Sequence, residues 1–410
     1  MPNTSNTAIT YVVSQYPAIS HTFILGEING LLDRGFSINV ASINTPDRPF
    51  DKLTVDEQEA YKHTLFVKQS LFNKLPYYLF SSLCQFPKGF FSTFAQTLAN
   101  CIRNPTTTVK QLAYWLEAMV VADVATKQGS KQLHAHFSTQ GCTVAMLAAQ
   151  MMGINFSLTV HGPDEFYHVG EQQLERKFAA ANFIICISDF AKSQVMKYTA
   201  FADWEKLHVN YLGVDSKIFT PSSTLETNIT PVLLCVGRLV NAKGQGVLIQ
   251  AAKILADRDI NFSLQFVGDG PDKENLEQFS TTHNLNSKIN FLGKVNHNDI
   301  KNLQQQADIF VLPSFAEGIP IVLMEAMACG TPCVTTHITG IPELFTNGHD
   351  GLLVRPGSAV MLADALERLI GEPDTREKIT QAALTTIKKD WCIHLSNQRL
   401  ADLFTQQLSS

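Results

Sequence analysis

The chain has 410 residues, 45% of them hydrophobic and 17% charged, a balance that supplies two domain-sized cores and excludes a disordered chain. Its net charge of −5, with no dense cluster of lysine or arginine, gives no electrostatic footprint for nucleic acid or for a bulk anionic surface. The eight cysteines are scattered without a CxxC pair or a Cys/His ligand cluster, which predicts reduced, buried thiols in the cytoplasm rather than a disulfide framework.

Met1 to Ala8 is polar and lacks the charged and apolar regions of a secretory signal. An apolar run, Ile9 to Ser14, then predicts a strand, followed by a loop with Pro17, a helix from about Ser20 to Leu32 closed by Gly35, and a second strand at Ser37 to Ile43. Strand, helix, strand with short connections predicts a parallel sheet with right-handed crossovers. From Leu71 to about Ala125 the chain is rich in Phe, Leu and Tyr, including Tyr77-Tyr78-Leu79-Phe80 and Phe86-Pro87-Lys88-Gly89-Phe90-Phe91. This reads as a helical insertion whose aromatics are either packing core or an interfacial anchor at a membrane; Pro76 and Pro87 cut it too short to span a bilayer.

Gln132 to Phe137 predicts a strand ending in His134-Ala135-His136, with Cys142 to Met152 as the next helix. A His-x-His pair on a strand points both rings to one face. No third ligand stands nearby at metal spacing, so no metal site is expected. The strand Phe156 to Val160 runs into His161-Gly162-Pro163-Asp164, placing His161 at the carboxyl end of a parallel strand, where open α/β sheets bind ligands. A core histidine bonded to backbone is the competing reading. Another strand, Asn182 to Ile187, ends at Ser188, an N-cap for the following helix. The polar, aperiodic stretch Ser222 to Thr230 predicts a linker.

Beyond it, the strand Pro231 to Val236 delivers Gly237-Arg238-Leu239-Val240-Asn241-Ala242-Lys243-Gly244 before a helix. A strand, a Gly-rich turn with two cations and a helix N-terminus form a phosphate-binding geometry, in which Arg238 can fork two oxygens while Lys243 supplies a point charge. Asp257-Arg258-Asp259 lies in polar sequence and is expected to be solvated. The strand Phe262 to Val267 ends at Gly268-Asp269-Gly270-Pro271, and Ile289 to Leu292 leads to Gly293-Lys294-Val295. The short apolar run Ala307 to Leu312 then opens the stretch Pro313-Ser314-Phe315-Ala316-Glu317-Gly318-Ile319-Pro320, after which apolar residues recur at helical spacing to Gly330. Glu317 therefore sits on a loop at a helix N-terminus. Glu325 lies about five residues into the helix, roughly 8 Å along its axis, so the two carboxylates serve different parts of one elongated ligand.

The Glu-x7-Glu spacing of Glu317 and Glu325, with Gly237-Arg238, Lys243-Gly244, His161-Gly162-Pro163-Asp164, His134-Ala135-His136-Phe137 and Gly213-Val214-Asp215, resembles the retaining glycosyltransferases of family 4. The Ser20-His21-Thr22-Phe23 turn is similar to the Ser-Glu-Thr-Phe entry of the exopolysaccharide and colanic-acid branch, with histidine in place of glutamate. The resemblance implies a GT-B fold: a Rossmann-like acceptor domain over 1–220 carrying the insertion at 71–125, a Rossmann-like nucleotide-sugar domain over 221–390, and a helix over 391–410 returning toward the first.

It implies a donor site of Gly237, Arg238, Lys243, Gly268, Lys294, Val295, Glu317, Gly318, Ile319, Pro320, Leu323 and Glu325. In that site Arg238 and Lys243 grip the diphosphate, Glu317 meets the transferred sugar and Glu325 the ribose diol. On the acceptor side it implies Ser20, His21, Asp164, His136 lining the cleft, and His161 beside the attacked carbon. The function implied is transfer of a hexose from a nucleoside diphosphate sugar, a uridine one, with retention, to a saccharide or lipid-diphosphate-linked saccharide, without a cofactor or metal and in the cytoplasm or at the inner membrane face. A nucleotide-sugar epimerase on the same fold and a catalytically silent exopolysaccharide assembly partner are the alternatives.

Overall fold

In the computed structural model, residues 8–18, 22–167, 169–222 and 228–409 are described. Ser20 and His21, assigned to the acceptor side, lie outside them. The chain divides into two compact units, residues 1–210 with 397–410, and residues 211–396. The first change of unit thus falls ahead of the polar stretch beginning at Ser222.

The first unit is built on seven strands, β1 (Ala8–Gln15), β2 (Ser37–Asn44), β3 (Thr64–Phe66), β4 (Ser130–His136), β5 (Asn155–Val160), β6 (Phe183–Cys186) and β7 (Leu207–Val209). They form one sheet in the order β3-β2-β1-β4-β5-β6-β7, with every neighbouring pair parallel. Helices cover both faces of a parallel sheet, so its central strands carry unbroken apolar runs; Ala8 to Val13 of β1 is buried throughout. One face is closed by helix α1 (Thr22–Leu32) and by Leu400, Ala401 and Phe404 of the C-terminal helix Ile393–Ser409, which meet Ile24, Leu31, Phe36 and Phe183 in a shared cluster.

The aromatic insertion consists of α2 (Val67–Gln85), α3 (Pro87–Arg103) and α4 (Thr108–Lys127). Pro76 sits inside α2, where the backbone leaves helical geometry at Lys74, because the proline ring clashes with the preceding turn. Pro87 opens α3, a position where its missing N–H costs nothing. The aromatics divide between the core and the surface. Tyr78 and Trp115 are buried, with Phe90 and Phe94 packed beside them, whereas Phe72, Phe80 and Phe91 are exposed. The helix α5 (Gln140–Met152) completes the packing on the other face of the sheet.

The second unit holds β8 (Val232–Val236), β9 (Ser263–Val267), β10 (Ile289–Gly293), β11 (Ile309–Leu312), β12 (Cys333–Thr336) and β13 (Leu352–Val354). They are arranged β10-β9-β8-β11-β12-β13, again with all pairs parallel. Strand order reverses between β8 and β11, and ligands of open α/β sheets bind beyond the carboxyl ends of the strands at such a reversal. Gly213 and Val214 also belong to this unit, where Val214 N donates to Trp391 O at 2.9 Å and Ile393 N to Val214 O at 3.0 Å.

Loop positions after β8 depend on backbone contact. Gly268 has φ +134°, and a Cβ there would stand 2.0 Å from the carbonyl oxygen of Gly237. Gly268→Ala therefore combines a disfavoured backbone region with a clash against main chain, and is expected to destabilise the protein by about 3 kcal/mol or more, measured by chemical denaturation.

Candidate active site

In the second unit, two loops leave the carboxyl ends of β8 and β11. The first carries Gly237 to Gly244 into helix α6 (Gln245–Asp257). Gly237 N donates to Val267 O at 2.9 Å and Leu239 N to Asp269 O at 3.0 Å, which ties this loop to the one after β9. Gln245 Nε2, in the first turn of α6, donates to Arg238 O at 3.0 Å. Gly244 has φ +66°, and a Cβ there would lie 2.1 Å from Pro313 O, so the β8 and β11 loops approach at a distance only glycine permits. Phe315 N donates to Ala242 O at 2.8 Å across the same junction.

The second loop leads through Glu317 into helix α7 (Ile321–Ala328), with Pro320 at its N-cap position. Glu317 is the hub. Its Oε1 accepts from Lys243 Nζ at 2.6 Å and from Ser314 Oγ at 2.6 Å, while its carbonyl accepts from the Thr339 hydroxyl. Ser314 is held in turn, since its carbonyl accepts from Thr336 Oγ1 at 2.6 Å. The structure thus joins Lys243 and Glu317, read separately from the sequence, into one half-buried ion pair. Arg238 is exposed, and its guanidinium has no hydrogen bond or ion pair among the described residues.

The fifth residue of α7 is Glu325, which is buried; burial pushes its carboxyl pKa up to about 7. Ile319, Pro320 and Leu323 are buried as well. Lys294 is well exposed and meets Asp269 at 3.4 Å, which draws the loop after β10 onto the loop after β9. Gly268 N also donates to Gly293 O at 2.8 Å, and Val295 is half-buried beyond it. Asp257 and Arg258, in the Asp-x-Asp stretch, are spent on surface ion pairs with Lys253, Asp364 and Glu367.

In the first unit His161 stands at the end of β5, buried, with its ring packed against Phe137 at 4.3 Å and Phe23 at 4.8 Å between centroids. Its Nε2 lies 2.9 Å from His136 Nδ1, and His136 Nε2 lies 3.1 Å from Glu27 Oε1. Tyr11 Oη donates to the same Glu27 oxygen at 2.6 Å. Because that oxygen already accepts from Tyr11, His136 Nε2 must carry a hydrogen and donate to it. His136 Nδ1 and His161 Nε2 share the next hydrogen bond of the chain. The chain Glu27–His136–His161 holds the last ring in place by hydrogen bonds.

Two expectations are corrected here. His136 does not line an open surface: it is fully enclosed, one layer behind His161, because β4 ends beneath the β5 loop. Asp164, assigned to the acceptor side, is exposed, and its neighbour Glu165 is the buried carboxylate that organises the strand ends. Glu165 Oε1 accepts from His161 N at 2.5 Å and Gly162 N at 3.2 Å, and its Oε2 accepts from Ser138 Oγ at 2.6 Å and from Ser138 N. Finally, a third potential ligand does stand beside the His-x-His pair, Glu27, brought in by α1. Both ring nitrogens of His134 are nevertheless taken by Ser157 Oγ at 2.8 Å and Thr159 Oγ1 at 3.0 Å. Burial, with His136 adjacent, holds His134 neutral, its pKa well below the usual histidine range. The cluster is a hydrogen-bonded network.

Two parallel-sheet α/β units with their candidate groups at the carboxyl ends of the strands define the GT-B class of glycosyltransferase. A computed comparison agrees: an Anabaena protein, Alr3699/HepE, solved in complex with UDP-glucose, superposes with a TM-score of 0.73 at 18% identity, covering 98% of this chain and 100% of that one. The lipopolysaccharide outer core galactosyltransferase WaaB gives 0.65 at 17% identity, covering 97% of this chain and 100% of that one. In this chain residues 106–217 match the model for Glycosyltransferase Family 4 and residues 219–386 that for Glycosyl transferases group 1. It is 27% identical to the amylovoran biosynthesis glycosyltransferase AmsK of Erwinia amylovora and 26% identical to the colanic acid biosynthesis protein WcaL of Salmonella typhimurium, in each case over 96% of this chain and 98% of the relative.

Two predictions follow from the buried carboxylates. A folded-state pKa of about 7 for Glu325 means that the native protein binds more protons than the unfolded chain between about pH 4.5 and 7. Stability therefore falls as pH rises through that window. Glu325→Gln is expected to gain roughly 3 kcal/mol over the wild type at pH 8, with the gain vanishing near pH 4, in denaturation curves taken across pH. Glu27→Ala strands the Tyr11 hydroxyl and the His136 N–H in the core and should cost about 3 kcal/mol. Glu27→Gln, which keeps a carbonyl acceptor, should cost less than half as much in the same assay.

Proposed function

We propose that this protein is a retaining hexosyltransferase of exopolysaccharide biosynthesis, moving a hexose from a uridine diphosphate sugar to a hydroxyl of a saccharide or lipid-diphosphate-linked saccharide. The observation that carries this reading is the Arg238, Lys243 and Glu317 constellation at the β8/β11 reversal, beside the N-terminus of α7. The biosynthetic context rests on AmsK and WcaL, whose names place them in amylovoran and colanic acid synthesis, and the uridine donor on the UDP-glucose held by HepE.

In this reading Arg238 forks two diphosphate oxygens and Lys243 supplies a second charge. Together with the α7 dipole they offset the negative charge that grows as the nucleotide departs, so the reaction requires no resident metal. Glu317, oriented by Lys243 and Ser314, takes hydroxyls of the transferred sugar. Glu325, a buried carboxylate with a near-neutral pKa, gains from the two hydroxyls of the ribose diol, which replace hydration lost on burial. The acceptor oxygen bonds to the anomeric carbon on the face from which the diphosphate leaves, and its proton passes to the departing phosphate oxygen. Retention then needs no second carboxylate at that carbon. On the first unit, His161, held by the hydrogen bond to His136, orients the acceptor hydroxyl. All eight cysteines are free thiols and six are buried, consistent with the reducing cytoplasm.

Lys243→Ala and Arg238→Ala are each expected to lower kcat about 100- to 1000-fold, measured as acceptor-dependent release of UDP. UDP at 100 times its Kd should raise stability by about 2.7 kcal/mol with chelator present. No thermal shift with any nucleoside diphosphate would sink the donor site and favour a silent assembly partner; conversion of donor to its C2 epimer without acceptor would favour the epimerase.

A further inference from the structure

The pairing of β11 with β12 stops at Leu312 and Thr335, because the next residue of β11's chain, Pro313, has no N–H to offer a ladder. Beyond that point hydroxyls take over. Thr335 Oγ1 donates to Leu312 O at 2.7 Å, Thr336 Oγ1 to Ser314 O at 2.6 Å, and the Thr339 hydroxyl to Glu317 O. Threonines of β12 and its loop thus satisfy main-chain carbonyls along the whole approach to Glu317, by side chain where backbone pairing has ended.

The last of these threonines is held at a conformational cost. Thr339 has φ +46°, and among the described non-glycine residues with positive φ it alone is β-branched. That region is disfavoured for a side chain branched at Cβ and is open to glycine. The surrounding loop enforces it: His337 N donates to Val354 O at 2.8 Å and Ile341 N to Ile338 O at 3.0 Å, so both ends of the turn are fixed. A residue kept there against its preference points to a task for its side chain, and the task its hydroxyl performs is the bond to Glu317. Gly340 tightens the same junction, since a Cβ there would lie 2.6 Å from Gly318 O. The carbonyls of Glu317 and Gly318 therefore both abut the β12 loop. Glu317 is gripped at two points, its main-chain oxygen by Thr339 and its carboxylate by Lys243 and Ser314. Loss of the first grip leaves the peptide after Glu317 free to rotate, and rotation there moves the root of the carboxylate.

We infer that Thr339 is a positioning residue: its hydroxyl fixes the Glu317–Gly318 peptide and, through it, the carboxylate that meets the transferred sugar, a role that rests on the hexosyltransferase reading. The test sets Thr339→Val, which keeps the branched shape and loses the hydroxyl, against Thr339→Ser, which keeps the hydroxyl. Thr339→Gly removes hydroxyl and backbone strain together and carries the same comparison if the valine variant does not fold. Hydrogen–deuterium exchange over residues 313–320 reports on the loop without turnover; it is expected to quicken about tenfold in the valine and glycine variants and to stay at the wild-type rate in the serine variant. In the same two variants kcat for acceptor-dependent UDP release is expected to fall about tenfold, the size of one hydrogen bond, with serine restoring it. UDP carries no sugar, so the thermal shift it produces should be unchanged throughout. Wild-type exchange in both hydroxyl-free variants, a loss of kcat that the serine variant shares, or a UDP shift that shrinks in step with kcat would overturn the inference. Faster exchange over 313–320 in a protein that turns over no donor would refute the hexosyltransferase reading and leave the hold of Thr339 on the Glu317 loop standing.

Discussion

The second unit's site depends on two places where main chain meets main chain too closely for a side chain. At Gly244 the β8 loop touches the carbonyl of Pro313, and at Gly268 the β9 loop touches that of Gly237. These contacts hold the loops of three strands as one layer over the strand-order reversal. Only because the β8 and β11 loops are in register does Lys243 reach the same carboxylate oxygen as Ser314. A cation and an anion drawn from sequence positions 74 apart thereby become one element with two faces, one suited to phosphate and one to sugar hydroxyls.

The first unit solves a related problem by hydrogen bonding. Its strand ends are organised by two buried glutamates in different ways. Glu165 gathers backbone N–H groups from the β4 and β5 ends, which sets where His161 begins. Glu27 acts through His136, which in turn is hydrogen-bonded to His161. The aromatic packing of Phe23 and Phe137 against that ring removes water from the network, so each hydrogen bond in it counts for more than it would at the surface.

The net charge of −5 is a sum over the whole chain and does not describe how charge is distributed: between Glu59 and Glu117 there are six lysines and arginines and no aspartate or glutamate. Charges act on one another within about a Debye length, so local segregation of this kind matters more than the sum.

Strand and helix positions, the parallel character of the sheets and the candidate loops after β5, β8 and β11 were legible in the sequence. Apolar runs, glycines and motif spacing are local properties, and each loop was visible as a punctuation between a strand and a helix. Ser188 was legible as an N-cap for the same reason, and its hydroxyl does accept from Ala191 N at 2.9 Å. Tertiary structure alone decided which partners these groups have. Glu27 lies in an ordinary helix 109 positions from His136, with no motif around it. Glu165 was hidden beside the more recognisable Asp164, since adjacent residues of a short turn point in different directions and only packing selects the buried one. The split of the aromatic insertion into core and exposed faces likewise followed from which side of each helix met α4, because residue type fixes how strongly a side chain avoids water, while the neighbours fix whether it can.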